Sequence, residues 1–205
     1  MRTPDGRRVM IGWMQNPHIL THSPSHGKWM GQMSLPRELY WKEGHLCQKP
    51  VRELELLRTN RVEYRNVMVN GLLTLDGIRG RAADLELTVR PASSEQYRSF
   101  SIHFAQNENF RTSLIIDPLN STVTIDRTIS GSRRALLHRR TIKVEDGPEC
   151  LKLRLILDQY SAEIFINDGA DVMTATLYTE LSAQEISFFC DGTAIIDIVK
   201  YDITV

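Results

Sequence analysis

From residue 60 onward the sequence keeps a period of two, and this alternation constrains the fold more than any other feature. Ala83-Asp84-Leu85-Glu86-Leu87-Thr88-Val89-Arg90 alternates strictly. Successive side chains of a strand point to opposite faces, so Leu85, Leu87 and Val89 share an inward face. Phe100, Ile102 and Phe104 repeat the pattern, with His103 on the opposite face as a surface or cross-strand residue. Ser113-Leu114-Ile115-Ile116 stops at the Asp117-Pro118 turn signal, and Val123 and Ile125 open another strand after Asn120. The clearest strand is Leu151-Lys152-Leu153-Arg154-Leu155-Ile156-Leu157. Its partner, Ala162-Glu163-Ile164-Phe165-Ile166, lies across the turn Asp158-Gln159-Tyr160-Ser161. Asn167-Asp168-Gly169 predicts a tight turn into a strand over 172–178. Ile186, Phe188 and Cys190 alternate, Asp191-Gly192 predicts another turn, and residues 194–205 form the last strand. About ten short strands with no helix between them predict an antiparallel β-sandwich. Residues 60–205 are enough chain to bury its core.

Charge and hydropathy exclude several classes. Lys+Arg and Asp+Glu stand at 25 each, so no whole-chain field favours nucleic acid or a membrane surface. No apolar run reaches the ~18 residues that would span a bilayer. The start, Met1-Arg2-Thr3-Pro4-Asp5-Gly6, is a polar turn without a signal peptide's apolar stretch, which predicts a cytoplasmic protein. Cys47, Cys150 and Cys190 are scattered and odd in number, and read as free thiols in a reducing compartment. No cofactor and no metal site are expected. His18, His22 and His26 recur at spacings of four, which on a helix would align three imidazoles as metal sites do. Pro17, Ser23, Pro24 and Gly27 break any such helix, so the segment reads as a loop. Asn120-Ser121-Thr122 fits a glycosylation sequon and reads as a turn.

Residues 1–50 hold too little apolar material for a core of their own. Val9 and Ile11 alternate with Met10 and Gly12, which predicts a buried strand. A second piece, Gly27-Lys28-Trp29-Met30-Gly31-Gln32-Met33-Ser34-Leu35-Pro36-Arg37-Glu38-Leu39-Tyr40, is interrupted at Pro36, which places an edge or a bulge there. Next, Val51, Leu54 and Leu57 fall on one side of a short helical connector behind Pro50.

The pair Gly12-Trp13, followed by Trp29-Met30-Gly31-Gln32-Met33-Ser34-Leu35-Pro36-Arg37-Glu38-Leu39, closely resembles the last propeller blade of glycoside hydrolase family 32. That family contains invertases, levanases, inulinases and sucrose-6-phosphate hydrolases. Leu153-Arg154-Leu155-Ile156-Leu157-Asp158, with Ser161-Ala162-Glu163-Ile164-Phe165-Ile166-Asn167-Asp168-Gly169 after it, is similar to the C-terminal sandwich of the same family. The resemblance implies an all-β chain: a remnant of a five-bladed β-propeller over 1–50, a helical connector over 51–59, and a concanavalin- or lectin-like antiparallel β-sandwich over 60–205. It also implies a complete enzyme that hydrolyses terminal β-fructosyl bonds in sucrose or fructans.

Retaining glycosidases need two carboxyl groups about 5 Å apart. In family 32 an Asn-Asp-Pro-Asn-Gly motif holds the nucleophile, an Arg-Asp-Pro a stabilising Asp, and a Glu-Cys pair the acid/base. The first two motifs are absent; Asn16-Pro17 and Arg90-Pro91 are echoes without the acid. Glu149-Cys150 matches the third, but it follows the turn Asp146-Gly147-Pro148 inside the sandwich region, whereas the family's pair lies upstream of the Trp-x-Gly motif. It reads as a turn residue. The chain is thus expected to be a C-terminal, inactive accessory part without catalytic residues. Trp13 carries over as the one substrate-binding candidate, its ring offering a stacking face to the sugar; a core Trp between blades is the other reading. Trp29 reads as packing. The rival reading is an independent carbohydrate-binding β-sandwich, for which Asn167-Asp168-Gly169-Ala170-Asp171 is the only acidic loop, with too few ligands for calcium. With its neighbouring blades absent, the face of Val9, Met10, Ile11, Trp13, Met33 and Leu35 predicts self-association as a homodimer through residues 1–50.

Overall fold

The computed structural model describes residues 1–14, 31–131, 138–145 and 150–204. The expectations for the histidine loop, Trp29 and Glu149 fall outside the described residues. The chain begins with a three-stranded antiparallel sheet of β1 (Arg8–Met10), β2 (Arg37–Lys42) and β3 (His45–Pro50). Strand β2 starts directly after Pro36, as a residue without an N–H donor requires. The β2–β3 hairpin turns on Glu43 and Gly44, both at positive φ (49° and 84°). That combination defines the two-residue turn whose twist matches its strands. Beyond β1 the pairing continues through a Trp13–Met33 bridge and a 2.7 Å bond from Ser34 N–H to the Gly12 carbonyl.

A 3-10 helix, Arg52–Leu57, follows. Val51, Leu54 and Leu57 recur every three residues, the period of that helix, and Leu54 is its buried residue.

The rest is one curled sheet of ten strands among the described residues: β4 (Arg58–Leu73), β5 (Ala83–Pro91), β6 (Ser99–Gln106), β7 (Thr112–Asp117), β8 (Thr122–Asp126), β9 (Arg139–Lys143), β10 (Leu151–Asp158), β11 (Ser161–Ile166), β12 (Asp171–Thr176) and β13 (Glu185–Ile203). Its order is β12-β11-β10-β5-β13-β6-β7-β8-β9, with β4 also paired to β13. The expected turn at Asp191-Gly192 is a bulge inside one long strand. Residues 185–191 of β13 pair with β6 and residues 194–202 with β5, and the register breaks between Cys190 and Ala194. Strand β13, with β4 along its side, thereby passes from one layer of the sandwich to the other. Gly192 at φ 108° and Gly71 at φ 72°, paired beside the break, supply backbone conformations that a Cβ disfavours.

The core lies between the layers, and the period-two reading places it correctly. Leu85, Leu87 and Val89, Phe100, Ile102 and Phe104, and Leu153, Leu155 and Leu157 are all buried in one cluster. His103 faces the other way, its Nδ1 2.8 Å from Ser113 Oγ on the neighbouring strand.

Candidate functional site

Strand β11 breaks the rule that one face of an antiparallel sheet meets water: all six of its residues are buried. Ala162, Ile164 and Ile166 point into the core. Glu163 and Phe165 point outward, and the N-terminal sheet lies on them. Phe165 joins Ile156 and Leu54 in a second apolar cluster, against which Leu35, Leu57 and Val172 pack.

Arg37, the first residue of β2, enters this seam and meets Glu163. Its Nε donates to Glu163 Oε2 at 2.8 Å, and Nη2 donates to the same carboxylate. The Glu163 Oε1 accepts the Leu35 N–H. Nη1 donates to Gln48 Oε1 at 3.0 Å and Nη2 also donates to Thr174 Oγ1 at 2.6 Å, and the group sits 5.4 Å from the Phe165 ring centroid. The two side chains are 8% and 2% exposed. Each guanidinium nitrogen and both carboxylate oxygens are thus hydrogen-bonded, which offsets much of the cost of burying the pair.

A second contact is steric. Gly169, at φ 87°, lies so close to β3 that a Cβ there would sit 1.7 Å from the Gln48 carbonyl oxygen. Its neighbour Asp168 accepts, through its backbone carbonyl, a bond from the Tyr40 hydroxyl. Asn167, Asp168 and Gly169 all adopt positive φ, which lets the loop press flat against the first sheet. The Asp168 carboxylate faces Lys152 at 3.5 Å and Lys42 at 4.0 Å. Among the described residues no group of three or more His, Cys, Asp or Glu could hold a metal ion.

Two further carboxylates brace the connector. Glu38 accepts from Arg7 at 2.7 Å and from Arg52 at 3.1 Å. Burial alone would raise its pKa, but these hydrogen bonds outweigh burial and hold it down at about 2. Asp84, fully buried on the outer face of β5, is clamped by Arg58 Nε at 2.9 Å and by Arg154 at 3.0 and 2.7 Å.

Trp13 lies away from this seam. It bridges Met33, both side chains are 59% exposed, and Ile11 on the same stretch is 48% exposed. Val9, expected on the same face, is instead 6% exposed, and Leu35 packs against the second cluster. Of the face named in the sequence, Val9 is thus buried and Leu35 packs against the second cluster, while Ile11, Trp13 and Met33 stand in solvent. The three cysteines are free thiols: Cys47 and Cys190 buried, Cys150 exposed. Burial pushes the Cys190 thiol up to about 11.

The sequence alone gives Arg37 and Glu163 no site role and reads Gly169 only as part of a turn. The available signal was a charged residue between Ala162 and Ile164 with Phe165 facing the same side as that charge, which is unusual for a wet face.

The fold and seam define a class: an all-β chain in which a small N-terminal sheet is docked on a curled β-sandwich. Residues 53–205 match the family model described as Glycosyl hydrolases family 32 C terminal, and residues 1–50 match Glycosyl hydrolases family 32 N-terminal domain. The chain belongs to glycosyl hydrolase family 32. A probable sucrose-6-phosphate hydrolase of Vibrio cholerae is 34% identical over 186 residues, covering 91% of this chain and 31% of that protein. The sucrose-6-phosphate hydrolase of Staphylococcus xylosus is 30% identical, covering 97% and 40% respectively. Among solved structures, sucrose-6-phosphate hydrolase from Lactobacillus gasseri superimposes with a TM-score of 0.81 at 26% identity, over 98% of this chain and 39% of that one. The chain thus spans about a third of the length of the curated relatives it matches. No helix among the described residues is long and apolar enough to cross a membrane.

Proposed function

We propose that this chain serves as the C-terminal, non-catalytic part of a β-fructosidase that hydrolyses terminal β-fructosyl bonds in sucrose or fructans. Residues 1–50 supply last-blade material, 51–59 the connector, and 60–205 a sandwich whose task is to hold that blade. The observation that carries this reading is the seam. Arg37, Glu163 and Gly169 join the two parts through buried, hydrogen-bonded polar groups and a backbone-to-backbone approach, features of a permanent structural contact. The described seam carboxylates are poor candidates for proton transfer. Glu163 and Asp84 are clamped by arginines, and Glu38 is held near 2, far below the pKa a general acid needs at neutral pH. Trp13 belongs to the same proposal: its exposed ring is available to line a sugar cavity once neighbouring blades surround it.

The test is an assay of the 205-residue chain with sucrose, inulin and levan. No fructose above a buffer control is expected. Turnover that Glu149→Gln abolishes would overturn the reading.

A further inference from the structure

The register of the N-terminal sheet slips beside Pro36. Met10 pairs with Arg37 and Trp13 with Met33, so three steps along the first segment face four along the second. The extra residue makes a bulge over 34–36, where Pro36 has no N–H to give a regular ladder. A bulge leaves backbone groups without a partner in the ladder. The Leu35 N–H finds its acceptor outside it, in Glu163 Oε1 on β11. Arg37 holds the other oxygen of that carboxylate through Nε and Nη2.

Ser34 carries this anchorage to Trp13. Its N–H donates to the Gly12 carbonyl at 2.7 Å, and its Oγ accepts the Gly12 N–H at 2.9 Å. The same hydroxyl donates to the Leu35 carbonyl at 3.0 Å. Both backbone groups of Gly12 are therefore tied to one residue, itself only 8% exposed. On the other side of Trp13, the Met14 N–H donates to the Gln32 carbonyl at 2.8 Å. Bonds flanking the pair on both sides make Trp13 and Met33 a non-hydrogen-bonded pair, the type in which opposite residues lie closer.

We propose that Glu163 and Ser34 are positioning residues for Trp13, through which the sandwich sets the register that presents its ring. The inference rests on the reading above that Trp13 lines a sugar cavity, and it adds what controls that site. An unbroken ladder running on from Met10–Arg37 would pair Trp13 with Ser34 in place of Met33, and a slip of one residue exchanges the two faces of a strand. The Glu163–Leu35 bond stabilises the bulged register instead. Ser34, beside Leu35, then fixes Gly12, the residue before Trp13. The exposed ring is thus held from behind by a buried carboxylate of a different sheet.

The experiment is nitrogen-15 relaxation of the labelled full chain, read at the backbone amides of Gly12 and Trp13 with no sugar present. The unsubstituted chain should give order parameters of about 0.85, and Ser34→Ala should lower both below ~0.6, the range of flexible backbone. Arg37→Met combined with Glu163→Leu removes the acceptor for Leu35 without stranding a charge, and should loosen Trp13 likewise. Arg37→Met combined with Glu163→Gln keeps an oxygen at that place and should restore the order. Tyr40→Phe deletes a seam bond off this path and should leave Trp13 ordered. Order parameters in β5 and β10 check that the sandwich is folded in each variant, and Ser34→Ala alone decides the test where a paired variant does not fold. A rigid Trp13 in Ser34→Ala, loosening that the Gln variant does not relieve, or equal loosening in Tyr40→Phe would overturn the proposal. Such a result leaves the proposed enzyme part standing, because no sugar enters the measurement. Fructose release by the chain would sink that part and leave the positioning intact.

Discussion

Arg37 and Glu163 stand 126 residues apart in sequence and meet as a buried ion pair between two sheets that share no strand. Each carries a charge that would be costly to bury alone. Together they fix the angle at which β2 approaches β11, because the guanidinium engages Glu163, Gln48 and Thr174 at once. The apolar cluster around Phe165 supplies area, and the ion pair supplies orientation.

Gly169 sets how closely the sheets approach. Any Cβ there collides with the Gln48 carbonyl, and the positive φ adds strain for every other residue. Gly169→Ala is expected to destabilise by at least ~1–3 kcal/mol in chemical denaturation, and to raise hydrogen exchange in β2 and β3 more than in β5. Unchanged exchange in the N-terminal sheet would show that the contact does not govern docking.

The sandwich core should behave conventionally. Leu155 is 2% exposed and lies between Leu85 and Ile164 of the adjacent strands. Leu155→Ala should cost ~2–5 kcal/mol. A loss below half of the lower bound in urea denaturation would contradict the assigned register.

Acid should weaken the fold in two windows. Burial, and secondarily Arg111, lowers His103 from its ordinary 6.5 to about 4. The folded state therefore takes up fewer protons than the unfolded chain, so stability is full above 6.5 and falls as pH drops towards 4. The slope is at most about 1.4 kcal/mol per pH unit. His103→Gln should flatten it. Glu38, held at about 2 against an ordinary 4.5, contributes stability present above 4.5 and lost as pH falls towards 2. Glu38→Gln should remove stability at neutral pH and reduce the lower-window slope. Denaturation midpoints at stepped pH separate the two, and a slope between 6.5 and 4 that survives His103→Gln would contradict the first assignment.

The exposed trio Ile11, Trp13 and Met33 carries the proposal of self-association through residues 1–50. Light scattering should report a dimer for the full chain, and Trp13→Ser should shift it towards monomer. A monomer at high concentration would end that proposal.

How much of this was legible depended on where each residue's neighbours come from. Strand faces such as Leu85, Leu87 and Val89 follow from local alternation, and the connector from a spacing of three. The long β13 was hidden because Asp191-Gly192 carries the composition of a turn, and only the pairing of both halves with β4 shows the strand running through. Arg37 and Glu163 were hidden for a different reason. A polar residue on the outward face of a strand normally meets water, and the burial of this pair comes entirely from a sheet distant in sequence. Gly169 looked like ordinary turn chemistry until the Gln48 carbonyl was found against it.

The most direct test of the account is a double-mutant cycle on Arg37→Ala and Glu163→Ala, followed by chemical denaturation. Each single variant strands a buried charge and should cost about 3–5 kcal/mol. The double variant strands none, so its loss should fall below the sum of the singles by at least ~1.5 kcal/mol, within the range seen for residues in one network. Additive losses would contradict the claim that this pair locks the N-terminal sheet to the sandwich.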